Sequence, residues 1–226
     1  MTPFKPKLIV FDLDGTLVDS SPDISNAINL MLSALNQQTY SKQQIRHWMG
    51  NGVTMLIKRA LTGELNPLTD PDNLQLAKRV FSDFYRQNVC VESQLYAGVK
   101  EGLDQLQAAK INLACVTNKP ALFTSSLLTE IGIIDYFPFI ASGDTYSRMK
   151  PDPLPLLEAA NFFANETEHA LMVGDSINDI RAGKSAGFKT ALVPYGYIGK
   201  YSCDQLGADY QIDSIAHLSE LLSLAY

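Results

Sequence analysis

An α/β fold, doubly wound about a mainly parallel sheet and interrupted by an all-helical insertion, is what the sequence predicts, and three observations carry that expectation. The apolar run at residues 8–11, Leu-Ile-Val-Phe, ends in acids and Gly15, as a buried parallel strand does where it meets a loop. From residue 22 to about residue 89 every periodic segment has helical spacing. Beyond Tyr96-Ala-Gly98, strand and helix patterns alternate to the end of the chain, which implies parallel strands joined by right-handed crossovers. The predicted division is an α/β core of residues 1–16 and 92–226 with a helical cap of residues 17–91. Ligands of open α/β sheets bind beyond the carboxyl ends of the strands, so an insertion leaving there sits over the site as a lid.

Within the insertion, Ile24, Ile28, Met31, Leu32 and Leu35 form one stripe and predict a helix over 22–35. Ser41 and Gln44 have capping-box spacing ahead of Ile45 and Trp48. Val53, Leu56, Ile57, Ala60 and Leu61 continue a helix from Gly52, and Pro71 in a first-turn position opens another with Leu74, Ala77, Phe81 and Phe84. The second half reads helix 99–109, strand 111–116, helix 121–131 closed by Gly132, strand 137–142, helix 154–164 and strand 170–173. Helix 179–186 stopped by Gly187, strands 190–193 and 210–212 and a closing helix 214–224 complete it. The stripes around Phe81, Phe84, Leu127 and Leu128 read as core, which leaves monomer and homodimer both open.

The 226 residues are 46% hydrophobic and 19% charged, enough to bury a sizeable core. Eighteen Lys plus Arg against 24 Asp plus Glu give a net charge of −6 with no basic block. Nucleic acid and anionic membrane both reward a concentrated positive patch, so neither is expected as the main partner; a small anion is not excluded. Cys90, Cys115 and Cys203 are odd in number and form no CxxC pair, which predicts reduced thiols. The first apolar run is too short for a signal segment or membrane span, and a cytoplasmic location is the expectation.

Four segments fall at or just after predicted strand ends: Asp12-Leu-Asp-Gly-Thr16, Thr117-Asn118-Lys119, Arg148-Met-Lys150-Pro and Gly174-Asp-Ser-Ile-Asn-Asp179. Each alone has an ordinary structural explanation. The first is rich in turn formers, Asn118 is placed to cap a helix, Lys150 suits a solvated loop, and Asp175 and Asp179 suit a cap and a first helical turn. Together they are harder to explain that way. DxDGT fixes four residues, and its chance occurrence in a chain of this length is on the order of one in a thousand. Asp12, Asp14 and Asp175 would share one sheet edge, where each charged pair at about 4 Å repels by roughly 4 kcal/mol at an effective dielectric near 20. An all-oxygen, carboxylate-rich site of this kind suits Mg²⁺. His47, His169 and His217 have no ligand spacing, and no GxGxxG, GxxxxGK[ST] or GxSxG occurs.

Phosphoryl transfer through an aspartyl phosphate uses this set. Asp12 attacks phosphorus, with a metal screening the repulsion between anions. Asp14 protonates the leaving oxygen and later deprotonates water. Gly15 lets the backbone turn closely around the phosphoryl group, whose oxygens Thr117, Asn118 and Lys150 can neutralise.

The same residues resemble the haloacid dehalogenase superfamily of phosphatases over nearly the whole chain. The motifs are Phe11-Asp-Leu-Asp-Gly-Thr-Leu-Val-Asp-Ser20, Val116-Thr-Asn-Lys-Pro120, Lys150-Pro-Asp-Pro153 and Val173-Gly-Asp-Ser-Ile-Asn-Asp179. The resemblance implies a Rossmann-like core. It makes Asp12 nucleophile and metal ligand, Asp14 acid/base and donor of its carbonyl to the metal, and Asp175 a ligand. It has Asp179 support the metal or Lys150, and Thr117, Asn118 and Lys150 hold phosphate. The insertion is similar to the helical cap of the subgroup that includes phosphoglycolate phosphatase, notably at Ile45-Arg46-His-Trp48-Met-Gly50-Asn51-Gly52 and Tyr195-Gly-Tyr197. A substrate role for Arg46, Trp48, Gly50, Asn51 and Gly52 follows from that likeness, since a Gly-Asn-Gly loop opening a helix offers N–H groups to a carboxylate. The plainer alternative is a helix start with a packed Trp48.

The implied activity is Mg²⁺-dependent hydrolysis of a small phosphate ester, 2-phosphoglycolate foremost. Capped sugar-phosphate phosphatases or mutases and pyrophosphatases are the near alternatives. A phosphoacceptor signalling domain is the alternative from another class, and a non-catalytic scaffold on the same fold is a third.

Overall fold

The computed structural model describes residues 4–199 and 202–221. Strand β1 (Leu8–Phe11) is followed by a two-residue strand β2 (Val18–Asp19) and helices α1 (Ser21–Ala34), α2 (Lys42–His47), α3 (Gly52–Thr62) and α4 (Leu74–Gln87). A second two-residue strand, β3 (Gln94–Leu95), leads to α5 (Val99–Ala108), β4 (Asn112–Val116), α6 (Ala121–Glu130), β5 (Phe139–Ala141) and α7 (Leu154–Phe162). Then come β6 (Ala170–Gly174), α8 (Ile177–Ala186), β7 (Lys189–Leu192), α9 (Cys203–Leu206), β8 (Tyr210–Gln211) and α10 (Leu218–Leu221).

The main sheet runs β5-β4-β1-β6-β7-β8, and all its pairings are parallel. Numbered in chain order within this sheet, that is 3-2-1-4-5-6, the doubly wound order whose direction reverses beside its first strand. Strand β1 shows why the sequence reads as one apolar run. Leu8 and Val10 point into a cluster with Leu156, Ala159 and Ala182 of α7 and α8. Ile9 and Phe11 point into the opposite cluster, with Leu103 and Leu106 of α5 and Leu127 and Leu128 of α6. Both faces are covered, so period-two alternation disappears from the sequence.

That second cluster continues into the helical insertion through Ile28, Met31, Ile57, Phe81 and Tyr85. The insertion leaves after β2 and returns through β3, which pair antiparallel with Val18 opposite Leu95 and Asp19 opposite Gln94. Buried Asp23 of α1 ties the two crossings together by accepting N–H bonds from Val91, Glu92 and Ser93. In α2, Ser41 Oγ accepts from the Gln44 N–H, as the cap spacing predicts.

Several expected bounds shift. Helix α4 begins at Leu74, with Pro71 in the preceding turn, and it buries Tyr85 where the stripe pointed to half-buried Phe84. Strand 137–142 shrinks to Phe139–Ala141, because Ile134–Tyr136 form a 3-10 turn just before it. Helix α8 starts at Ile177, two residues ahead of Asp179. The closing helix is a 3-10 turn, Ile215–His217, followed by α10, and residues 222–224 of the expected span lie outside the described residues. Cys90, Cys115 and Cys203 are free thiols. Among the described residues no helix is long and apolar enough to cross a membrane.

Candidate active site

Strands β1, β4 and β6 end side by side, and the chemistry-bearing segments leave from those ends. Asp12 follows β1 and donates its N–H to the Val173 carbonyl of β6 at 2.9 Å. The chain then turns through Gly15, whose N–H returns to the Val18 carbonyl at 2.8 Å. Gly15 has φ +93°, and a Cβ there would lie 2.2 Å from Asp175 Oδ2, so both conformation and space demand glycine. Asp175, 1% exposed, accepts from the Thr16 hydroxyl at 3.2 Å and from the Tyr197 N–H.

Asp179 combines the two roles that the sequence left as alternatives. Its Oδ2 closes a capping box with Ser176 at the start of α8, accepting from the Ser176 N–H at 2.9 Å. Its Oδ1 meets the Lys150 ammonium at 2.7 Å. Lys150, 2% exposed, also reaches Asp12 Oδ1 at 2.9 Å and donates to the Val116 carbonyl. The Val116 contact is a hydrogen bond and the two carboxylate contacts are ion pairs, so Lys150 is held in place as a buried positive charge at the strand ends. The Asn118 side chain donates to the Lys150 carbonyl at 2.9 Å, which joins two of the loops. Buried Thr117 has its hydroxyl oxygen 3.2 Å from the Lys119 N–H, which donates to it.

Carboxylate oxygens of Asp12, Asp175 and Asp179 all lie within 4.8 Å of one another. Burial pushes the Asp12 carboxyl up to about 7; Lys150 opposes that shift, while the Asp179 charge adds to it. Burial also lifts Asp175 well above the usual carboxylate range, with Asp12 and Asp179 adding to the effect. For Lys150, burial alone would lower the pKa, but Asp12 and Asp179 outweigh it and raise it. With Asp14 and Lys119 included, four acids and two ammonium groups leave two formal negative charges. Apart from the Lys150 contact, Asp12 Oδ1 and Asp179 Oδ1 have no hydrogen-bond donor among the described residues. Clustered, donor-poor carboxylate oxygens with a residual double negative charge fit a hard divalent cation. A surface cluster of Glu166, Glu168 and His169 lacks that burial.

Asp14 sits differently. Lys119 Nζ lies 3.0 Å from its Oδ1 and 3.3 Å from its Oδ2, and Ser20 Oγ donates to Oδ1. Lys119 also donates to the Tyr85 hydroxyl at 2.7 Å, linking the sheet edge to α4 of the insertion. Burial would lower the Lys119 pKa, but Asp14 and Tyr85 outweigh it and raise it. The sequence reading passed over Lys119 and Tyr85. The only available signal was the place of Lys119 beside Asn118 at a strand end.

The cavity between sheet edge and insertion is about 70 Å³, room for a handful of water-sized groups at roughly 10–15 Å³ each. Asp12, Asp14, Thr117, Asn118, Lys150 and Asp179 line it from below, and Gly50, Gly52, Leu56 and Tyr85 from above. Arg46, Trp48 and Asn51 are not among its lining residues. Arg46 pairs with Asp19 at 3.0 Å and lies over the Tyr197 ring at the base of the insertion. Trp48 is 2% exposed and packs edge-on against Tyr40, so the plainer reading of a packed Trp48 describes it. Asn51 accepts from Arg59 at 2.9 Å, and the Gly50 carbonyl accepts from Asn178 at 2.9 Å, bringing that loop onto the start of α8.

Comparison with known proteins agrees with this geometry. The family model for haloacid dehalogenase-like hydrolases matches residues 9–193. A phosphoglycolate phosphatase of Nitrosococcus oceani is 43% identical, with 98% of each chain covered. One from Colwellia psychrerythraea is 41% identical, with 96% of each covered. The crystal structure of a predicted phosphoglycolate phosphatase from Haemophilus somnus superimposes with a TM-score of 0.89 at 37% identity, covering 96% of this chain and 97% of that one. By motif order, strand order and full-length similarity, this chain belongs to the haloacid dehalogenase-like hydrolase family.

Proposed function

We propose that this enzyme is a Mg²⁺-dependent phosphomonoesterase that hydrolyses 2-phosphoglycolate to glycolate and phosphate through an aspartyl phosphate on Asp12. The observation that carries the reaction class is Asp12 itself, a buried carboxylate with one oxygen held by Lys150 amid two further acids. The full-length relatives named phosphoglycolate phosphatase and the small cavity support the substrate.

Asp12 and Asp175, with the Asp14 carbonyl, would hold the metal, supported by Asp179. When bound, Mg²⁺ supplies Lewis-acid neutralisation of carboxylate and phosphoryl oxygens. The residues perform the remaining steps. Lys150 fixes Asp12 Oδ1 and leaves Oδ2 to attack phosphorus, forming the Asp12–phosphorus bond as the bond to the glycolate oxygen breaks. Asp14 gives a proton to that leaving oxygen. It then takes a proton from the water that attacks phosphorus and frees Asp12. Thr117 and loop N–H groups receive the phosphoryl oxygens, and the helical insertion acts as a cap that excludes bulk water.

Steady-state kcat/KM with Mg²⁺ across 2-phosphoglycolate, hexose phosphates, pyrophosphate and nucleoside monophosphates tests the substrate. A clear lead for 2-phosphoglycolate is expected. A higher value for a hexose phosphate or pyrophosphate would overturn that choice while leaving the reaction class in place.

A further inference from the structure

Away from the base of the insertion, two side-chain hydrogen bonds cross to it from the sheet edge among the described residues. Lys119 donates to the Tyr85 hydroxyl of α4, and Asn178 Nδ2 donates at 2.9 Å to the Gly50 carbonyl, in the loop between α2 and α3. The first belongs to the charge pair with Asp14. The second joins two neutral groups, which water can satisfy separately once they part.

Asn178 is the second residue of α8 and is 7% exposed. The start of that helix is already closed by the reciprocal bonds of Ser176 and Asp179, so the Asn178 amide is not needed there. Among the described residues its side chain has one hydrogen-bond partner, the Gly50 carbonyl. Gly50 aims that carbonyl from a backbone turn at φ +105°, a conformation that L side chains rarely adopt, and no atom lies within 4 Å of where a Cβ would stand. Glycine serves the turn there and not the space. The same loop comes down on the Asn118 carbonyl and on Met149 at Gly52, where α3 begins. One bond from α8 thus fixes the loop whose Gly50 and Gly52 roof the cavity.

We propose that Asn178 is a positioning residue that acts through Gly50: its amide latches the loop between α2 and α3 over a bound small ester, and its release opens the cavity to larger ones. The inference rests on the phosphatase reading above and adds the group that sets how closely the insertion encloses the substrate. A latched loop leaves a cavity of about 70 Å³, so the bond favours small esters over large ones.

The test measures kcat and KM for 2-phosphoglycolate and for p-nitrophenyl phosphate, whose aryl group exceeds that room, with Mg²⁺ in the wild type, Asn178→Ala, Gly50→Ala and the double variant. In Asn178→Ala, KM for 2-phosphoglycolate should rise roughly 3- to 10-fold, the scale of one neutral hydrogen bond, with a smaller change in kcat. For p-nitrophenyl phosphate, kcat/KM should stay level or rise, because that ester needs the loop released. Gly50→Ala strains the turn that aims the carbonyl, and it should shift the ratio of the two esters the same way without touching α8. The double variant should be no worse than the worse single variant, because both changes remove one bond. A direct contact of Asn178 with the phosphoryl group, or damage to the metal loop, would lower both esters together, and that result overturns the latch. Effects that multiply in the double variant overturn it as well. If Asn178→Ala does not fold, Gly50→Ala decides, and an unchanged ester ratio there overturns the proposal. A wild type that turns over neither ester overturns the phosphatase reading and the latch with it, whereas the outcomes above overturn the latch alone.

Discussion

The Lys150 ammonium lies 2.9 Å from Asp12 Oδ1, and it bridges that acid to Asp179 in the first turn of α8. Three acceptors surround one buried cation there, and losing that cation would leave two buried carboxyl groups without it.

Lys150→Met should therefore lower stability by about 3–5 kcal/mol in metal-free protein, read by urea unfolding, and Mg²⁺ should restore part of the loss. Lys150→Arg should not restore wild-type activity, because a planar fork cannot place one compact charge between Asp12, Asp179 and the Val116 carbonyl. A Lys150→Met protein as stable as wild type without metal would show that the acids do not rely on this cation.

Gly15→Ala combines a positive φ with a Cβ 2.2 Å from Asp175 Oδ2. It should reduce kcat by more than about 100-fold and cost about 2 kcal/mol or more, measured by turnover and thermal unfolding. A variant with full kcat would mean that the loop can move away from Asp175 without consequence for the reaction.

Asp12 binds its proton more tightly in the folded protein, at about 7 against an ordinary 3.8. Between those values the native state holds more protons than the unfolded chain, so metal-free stability should fall as pH rises from about 4 to about 7. A bound cation requires the ionised form, so the rise in Tm on adding Mg²⁺ should be larger at pH 8 than at pH 5. An increment that is equal at both, or larger in acid, contradicts the coupling.

Arg46→Ala separates a substrate contact from a hinge contact. Arg46 and Asp19 are each about one-third exposed, 34% and 31%, so solvent screening limits their bond to about 1 kcal/mol or less. KM for 2-phosphoglycolate should change by less than about threefold, since a direct ionic contact would cost more than about 1.4 kcal/mol, or tenfold. A tenfold rise in KM with unchanged Tm would return Arg46 to the substrate.

The sheet was legible because buried parallel strands write short continuous apolar runs, and β1, β4 and β6 do so with acids or Thr at their ends. Strands β2 and β3 left no such trace. Two residues carry no periodicity, and their pairing depends on Leu17 and Tyr96 meeting across the base of the insertion. The stripe of α4 was legible at Leu74, Ala77 and Phe81, and only its last position differs, because after Phe81 the i+4 residue Tyr85 faces the core more fully than the i+3 residue Phe84. Asp12, Asp14, Thr117, Asn118, Lys150 and Asp179 meet at one cavity because strand ends fix where their loops begin. Lys119 remained hidden because a single lysine in a loop has no pattern, and its significance arises from Tyr85 on a distant helix.

The covalent route is tested most directly by acid-quenching Asp14→Asn protein with 2-phosphoglycolate and Mg²⁺ and mapping the phosphate by peptide mass spectrometry. Loss of the acid/base should leave slow phosphorylation and block release, so the phosphoryl group should accumulate on Asp12 and disappear in the Asp12→Asn, Asp14→Asn double variant. Glycolate formation with no phosphorylated Asp12 peptide, or phosphate on another residue, would contradict Asp12 as the nucleophile.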